Sequence, residues 1–81
     1  MGGGVRISAG FAKVVRRHRL MKELTQEELA EVAGVHPVYI SLIENGRRTP
    51  TLDVAARIAA ALSTSLSILV AEAERSARRR S

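Results

Sequence analysis

Stretches in which apolar residues recur every three or four positions alternate along the chain with short breaks of glycine, proline, serine or charged residues. This spacing places the apolar side chains on one face of an α-helix. It predicts five helices, over roughly residues 9–22, 26–33, 37–45, 52–62 and 66–76. We therefore expect an all-α fold in which these five helices form one compact bundle.

The second predicted helix has a defined beginning and end. Thr25 is a good N-cap and Glu28 follows three residues later. The hydroxyl and the carboxylate can therefore each satisfy a free backbone N–H group at the helix start. Gly34 supplies a position with positive φ at which the helix can stop. These residues predict a helix of about two turns.

The third predicted helix begins after a corner of only three or four residues. Pro37 suits its first position and Gly46 closes it, while Ile40 and Ile43 form its apolar side. Two short helices joined by a tight corner that contains glycine are the helix-turn-helix arrangement, whose second helix enters the major groove of DNA. The pattern therefore indicates a DNA-binding module.

Composition and charge agree with one small domain that binds a polyanion. At 81 residues there is room for a single domain. The chain has no cysteine, which excludes a disulfide framework and a thiolate metal site, and we expect no metal and no cofactor. The net charge of +5 favours nucleic acid or an acidic membrane surface as partner. No apolar run approaches the ~20 residues that a membrane-spanning helix needs, so we predict a cytoplasmic protein.

No catalytic group can be assembled from the sequence. The chain has two histidines and no cysteine. It also lacks a pair of acids, or a glycine-rich phosphate loop, in a context that would suit catalysis. We therefore predict that the chain is not an enzyme.

A combination of residues in and after the two short helices is typical of one protein family. It consists of Thr25-Gln26, Leu29-Ala30, Gly34-Val35, Tyr39-Ile40-Ser41, Ile43-Glu44 and Gly46, followed by Arg48 and Pro50. The combination resembles the phage repressor and Cro type of helix-turn-helix domain, the XRE family, over roughly residues 11–70. The resemblance implies a bundle of the lambda-repressor-like type, in which helices 2 and 3 form the helix-turn-helix.

Small proteins of this family that end in one additional helix resemble the controller proteins of restriction-modification systems, and this chain has that layout. Three segments are expected, the first because three consecutive glycines do not hold a fixed conformation without outside contacts. A flexible lead-in is expected over residues 1–8 and a single helix-turn-helix domain with a C-terminal dimerisation helix over residues 9–76. A basic, flexible tail is expected over residues 77–81.

The resemblance also implies which residues contact DNA. Arg19 is expected to pair with Glu44, which would set the recognition helix against the first helix, and also to approach a phosphate. His36 could bind a guanine edge or a phosphate, and Arg48 could face the backbone or enter a groove. The expected base contacts are His36, Pro37, Val38, Tyr39, Leu42 and Arg48, and the expected phosphate contacts are Gln26, Ser41, Asn45, Arg47 and Arg19.

The last helix is the predicted contact between two copies of the chain, through Ile68 and the adjacent Leu69. The leading hypothesis is a homodimeric transcription regulator that binds a near-palindromic operator in double-stranded DNA, with RNA polymerase as a further partner if it activates transcription. We expect no membrane partner. The alternative is an antitoxin-like protein-interaction module, for which the apolar residues Leu20, Met21 and Ile68 would supply the surface.

Overall fold

The computed structural model describes residues 6–79, and within this range the chain forms five α-helices and no strand. Their bounds are Ile7–Met21 for α1, Gln26–Ala33 for α2, Pro37–Glu44 for α3, Leu52–Ala61 for α4 and Leu66–Arg79 for α5. The prediction of an all-α fold with five helices is confirmed.

Two helices are longer than the sequence pattern predicts. α1 begins at Ile7, whose side chain lies beside Phe11 and Leu52 around an apolar hollow, so residues 7 and 8 are helical. α5 continues to Arg79, because alanine and arginine are good helix formers and nothing in residues 77–79 breaks the helix. The remaining parts of the predicted lead-in and tail, residues 1–5 and 80–81, lie outside the described residues.

The core is almost entirely aliphatic. α1 packs mainly against α5, while α2 packs against α3 and α4. Each large aliphatic side chain that is fully buried stabilises the fold by about 1.5–3 kcal/mol relative to an exposed one. The largest fully buried side chains are Leu29, Ile40, Ile43, Ile58, Leu62, Leu69, Val14 and Val15.

A histidine and an arginine of α1 bind one carboxylate of α5. Nη2 of Arg17 lies 2.6 Å from Oε1 of Glu72, and Nε2 of His18 lies 2.9 Å from the same oxygen. A carboxylate accepts hydrogen bonds, so Nε2 of His18 is the donor. The bonds from His18 and then Arg17 hold the pKa of Glu72 below its usual value. The cluster ties the second half of α1 to α5.

α1 and α5 are in close contact at Gly10. A methyl group added there would collide with the backbone carbonyl oxygen of Ala73. The carbonyl belongs to the helix backbone and cannot rotate away as a side chain can. The missing side chain of Gly10 therefore sets how closely α1 and α5 pack.

Gly10→Ala is expected to lower the free energy of unfolding by about 1–3 kcal/mol through overpacking, measured by urea denaturation. Helix propensity alone would make alanine more stabilising than glycine by ~1 kcal/mol, so the expected change in the free energy of unfolding has the opposite sign. Gly46→Ala is the control, because no atom lies within 4 Å of its added methyl group and only the strain of a positive φ remains, about 1 kcal/mol. A smaller loss of unfolding free energy in Gly10→Ala than in Gly46→Ala would contradict the close contact between α1 and α5.

No single helix among residues 6–79 is long and apolar enough to cross a membrane. α4 and α5 taken together would be long and apolar enough, but the two helices are bent by 103° at the break between them. Apolar residues of both helices, such as Ile58 and Leu69, are buried in the core of the domain.

Candidate nucleic-acid interface

α2, the first helix of the helix-turn-helix, has a fixed beginning and a fixed end. The backbone N–H of Thr25 donates to Oε1 of Glu28 at 2.8 Å, and the N–H of Glu28 donates to Oγ1 of Thr25 at 3.0 Å. Gly34 ends α2 in the left-handed conformation, with φ of 75°. The predicted capping box and the predicted glycine stop are confirmed. The capping box fixes where α2 begins, and Gly34 fixes where the chain leaves α2 toward α3.

The apolar side of α3 packs into the core, and its opposite side faces outward. Ile40 and Ile43 are buried beneath it, as predicted. Val38, on the outer side, is 57% exposed. Of the other predicted base contacts, His36 and Arg48 are exposed, whereas Pro37, Tyr39 and Leu42 are half-buried.

An open hollow lies between the beginning of α2 and the beginning of α3. Arg19, Gln26 and Ser41, three of the predicted phosphate contacts, line it together with Pro37 and Val38, two of the predicted base contacts. The structure therefore brings these two predicted groups to the same side of the domain. The remaining predicted phosphate contacts, Asn45 and Arg47, are exposed at and just beyond the end of α3.

A buried ion pair connects α1 to α3. Nε of Arg19 donates to Oε2 of Glu44 at 2.7 Å, and Nη2 of Arg19 donates to Oε1 at 3.0 Å. Nη1 of Arg19 donates to the carbonyl oxygen of Leu24 at 2.8 Å, and the side-chain amide of Gln26 donates to Oε1 of Glu44 at 3.1 Å. The predicted pair is present. It fixes α3 relative to α1 and to the start of α2.

These bonds limit what Arg19 and Gln26 offer to DNA. The hydrogen bond to Glu44 raises the pKa of the Arg19 guanidinium, and burial opposes this only in part. All three guanidinium nitrogens of Arg19 already have a protein partner, and only 8% of the residue is exposed. Gln26 keeps its second amide N–H and its carbonyl oxygen. The phosphate contacts of both residues stay predictions, and that of Arg19 is confined to its small exposed part.

The loop after α3 folds back onto that helix. The backbone N–H groups of Arg47 and Arg48 both donate to the carbonyl oxygen of Leu42, at 2.9 and 3.2 Å. Cζ of Arg48 lies 5.7 Å from the ring centroid of Tyr39, within the range of a cation–π contact. No spacing rule along the sequence predicts this contact. The tyrosine ring therefore places the guanidinium beside the outer side of α3.

His36 also has a structural role that was not among the predictions from the sequence. It is the N-cap of α3, and its Nδ1 accepts a hydrogen bond from the backbone N–H of Val38 at 3.1 Å. Because Pro37 is the first helical residue, the residue directly before it is the N-cap, and this position was the signal in the sequence for a capping role of His36. Histidine is not among the residues usually preferred there, which is why its capping role was overlooked.

The prediction that Leu69 contacts a second copy of the chain is wrong. Leu69 is fully buried in the protomer's own core, because α5 turns this side toward the other helices. Ile68, the adjacent residue, is 48% exposed. A contact between copies through α5 can therefore use Ile68 but not Leu69.

Two observations bear on other kinds of site. Among residues 6–79, no group of three or more histidine, aspartate or glutamate side chains could hold a metal ion. Leu20 and Met21 are 54% and 70% exposed at the end of α1, where they form an open apolar hollow with Lys13, Arg16 and Arg17. These two apolar residues do not pack under α5.

The sequence of the whole central part matches one family. The helix-turn-helix family model matches residues 15–69, which is more than half of the chain. The chain belongs to the helix-turn-helix family. This membership confirms the resemblance to DNA-binding regulators of the XRE type.

Similar proteins of this family include transcription regulators and restriction-modification controllers. The control protein C.SmaI of Serratia marcescens is 41% identical over 56 residues, which span 69% of this chain and 67% of that protein. The clp gene regulator ClgR of Corynebacterium glutamicum is 30% identical in structural alignment, with a TM-score of 0.87, over 91% of this chain and 79% of that chain.

One similar structure contains DNA. It is the restriction-modification controller protein C.Esp1396I, solved as a tetramer in complex with its natural 35 base-pair operator. It is 25% identical, with a TM-score of 0.81, and the match covers 93% of this chain and 99% of that chain.

Proposed function

We propose that the chain is a homodimeric transcription regulator that binds a near-palindromic operator by placing α3 in the major groove. The observation that carries this proposal is the attachment of α3, which is buried on one side and held by the Arg19–Glu44 pair, with its opposite side outward. Helices held in this way can enter a groove without rearrangement. The operator complex of C.Esp1396I supports the proposal by similarity.

The two kinds of contact divide between different parts of the surface. The outer side of α3, from His36 to Leu42, faces the base edges, and Arg48 supplies a further guanidinium beside it. The beginning of α2 at Gln26, together with Ser41, Asn45 and Arg47, faces the sugar-phosphate backbone. Phosphate contacts fix register and orientation, while base contacts discriminate between sequences.

Dimerisation through α5 would present two copies of α3 about 34 Å apart, one turn of B-DNA. Ile68 is the exposed apolar residue of α5 that suits this contact. A regulator of this type acts in the cytoplasm and needs no catalytic group. As a controller it would bind near its own promoter, and it would repress by occlusion or activate by contacting RNA polymerase.

Selection of bound fragments from random double-stranded DNA tests the proposed function. The expected product is a set of fragments that share two inverted half-sites at a fixed spacing near one helical turn. If the protein is folded and dimeric but no DNA sequence is enriched, the proposed function is contradicted. That outcome would favour the alternative, a protein-interaction module that uses the exposed Leu20 and Met21 at the end of α1.

Replacing both Arg47 and Arg48 by alanine is expected to weaken binding to specific and non-specific DNA alike. The slope of log binding constant against log salt concentration should flatten by ~0.9 for each phosphate that the variant no longer neutralises. Replacing both Lys13 and Arg16 by alanine is the control, because it removes the same charge from two exposed residues of α1 that are not among the predicted DNA contacts. Equal changes in slope for the two double variants would show a general charge effect only.

The two roles of Tyr39 can be separated by substitution. Tyr39→Phe keeps the ring beside Arg48 and removes the hydroxyl, so it should change operator preference by ~1–3 kcal/mol if the hydroxyl contacts a base. Tyr39→Leu also removes the ring and should cost a further ~0.5–1 kcal/mol, because the cation–π contact is then absent. Affinities for the selected operator and for single-base variants measure both effects. Unchanged preference in Tyr39→Phe would remove the hydroxyl from the base contacts.

A further inference from the structure

The ring of His36 caps the beginning of α3. Pro37, the first residue of the helix, has no N–H group, and the N–H of Tyr39 donates to the carbonyl oxygen of His36 at 2.9 Å. The N–H of Val38 lies between them in sequence, and Nδ1 of His36 is its hydrogen-bond acceptor, at 3.1 Å. The ring of His36 is therefore held in one orientation by the helix that it caps.

This hydrogen bond also fixes where the ring carries its proton. A ring nitrogen that accepts a hydrogen bond from a backbone N–H cannot itself be protonated. In the neutral imidazole the proton is then on Nε2, which becomes a donor. The residue is exposed, so this N–H is available to a partner in solution. At its exposed end, His36 can donate a hydrogen bond but cannot accept one.

We propose that His36 is a specificity-determining residue that selects guanine by donating a hydrogen bond from Nε2 to the major-groove edge of that base. The inference rests on the proposed function and adds the identity of one base. Residues at the beginning of a recognition helix lie closest to the base edges. Three neighbours on the same side of α3, Pro37, Val38 and Leu42, have no side-chain hydrogen-bonding group.

Guanine fits such a donor better than the other bases do. It presents two adjacent acceptors, N7 and O6, in the major groove. Adenine presents N7 beside its N6 amino group, which is a donor, thymine presents the single acceptor O4 beside its methyl group, and cytosine presents only an amino group. An uncapped histidine could present either a donor or an acceptor to a base. With its Nδ1 used by the cap, His36 presents only the Nε2 donor, which favours a base with two adjacent acceptors.

The first experiment measures the proton position without DNA. Long-range ¹H–¹⁵N correlation spectra of the free protein should show Nδ1 of His36 without a proton and Nε2 with one. His36→Asn identifies the signals, because they disappear in that variant, while those of His18 remain. A proton on Nδ1 of the neutral ring would overturn the inference, whatever DNA the protein binds.

The second experiment replaces single guanines of the selected operator. At one guanine per half-site, adenine or 7-deazaguanine should weaken binding about tenfold, which corresponds to ~1.4 kcal/mol. Inosine at the same position should bind as guanine does, because it keeps N7 and O6 and lacks only the minor-groove amino group. Tolerance of adenine and 7-deazaguanine at every guanine would overturn the inference.

His36→Ser separates the cap from the base contact. Serine is a preferred N-cap, so α3 and the fold should be retained, but its short side chain cannot reach as far as the ring. The variant should bind guanine and adenine operators equally at that position. If its preference stays as in the unchanged protein, His36 does not select the base. A further operator carries one neutral methylphosphonate linkage in place of a phosphate. If the unchanged protein and His36→Ser differ in affinity for every guanine variant and become equal only on this operator, His36 binds a phosphate and the inference is wrong.

These outcomes are distinct from failure of the proposed function. If random DNA yields no operator, the proposed function fails, and the spectra still test the proton position. If an operator is found but its guanines can be replaced freely, only the role of His36 fails.

Discussion

Glu44→Ala is expected to lower the free energy of unfolding by about 3–5 kcal/mol, the usual cost of removing one partner of a buried ion pair. The carboxylate receives two hydrogen bonds from Arg19 and one from Gln26. Without it, the guanidinium of Arg19, a residue that is only 8% exposed, keeps a single protein partner, the carbonyl oxygen of Leu24. Small domains have a total stability of about 5–15 kcal/mol, so much of the fold's margin would be lost.

The control for this prediction removes both charges at once. Arg19→Met combined with Glu44→Leu fills similar volume and leaves no unpaired charge, and such replacements are often neutral or stabilising. Urea denaturation followed by circular dichroism should show a large loss for Glu44→Ala and a small change for the double variant. Equal stability of Glu44→Ala and the unchanged protein would show that the pair is not buried in solution.

The double variant also tests whether the ion pair orients α3. The pair joins α1 to the end of the recognition helix, and Gln26 joins it to the beginning of α2. A folded double variant should therefore bind the selected operator more weakly than the unchanged protein, although its surface charge is almost the same. Undiminished affinity would assign the pair to stability alone.

The features that could be predicted from the sequence depend on residues that are close together in the chain. The capping box needs only Thr25 and Glu28, and the end of α2 needs only Gly34, because backbone geometry at these positions is decided locally. The burial of Ile40 and Ile43 follows from helical spacing. The Arg19–Glu44 pair spans 25 residues and was accessible only through the family resemblance.

The features that were missed depend on how distant or unusual side chains meet. The contact of Arg48 with Tyr39 requires the loop after α3 to fold back onto the helix, which no spacing rule describes. His36 caps α3 with a ring nitrogen, an uncommon use of histidine. The predicted interface includes both Ile68 and the adjacent Leu69, although only Ile68 is exposed. On a helix, however, neighbouring residues point about 100° apart, and only three- or four-residue spacing places side chains on one face.

Leu69→Ala and Ile68→Ala are expected to differ strongly although the residues are adjacent and the volume removed is the same. Leu69 is fully buried, and its truncation should cost about 2–5 kcal/mol, because apolar burial is reduced and a cavity is left behind. Ile68 is 48% exposed, so its truncation should change the stability of the protomer by no more than about 0.5 kcal/mol. Denaturation at several protein concentrations separates the stability of the protomer from that of an oligomer.

Ile68→Asp then tests the proposed contact between copies. A carboxylate at the centre of an apolar contact is costly to bury unless it is paired, so this variant should sediment as a monomer and lose most of its operator affinity. Its protomer should keep its helical content, because Leu69 and Ala73 still attach α5 to the core. A persistent dimer in sedimentation would move the contact between copies away from Ile68. The core position of Leu69 would be unaffected, because it follows from burial within the protomer alone.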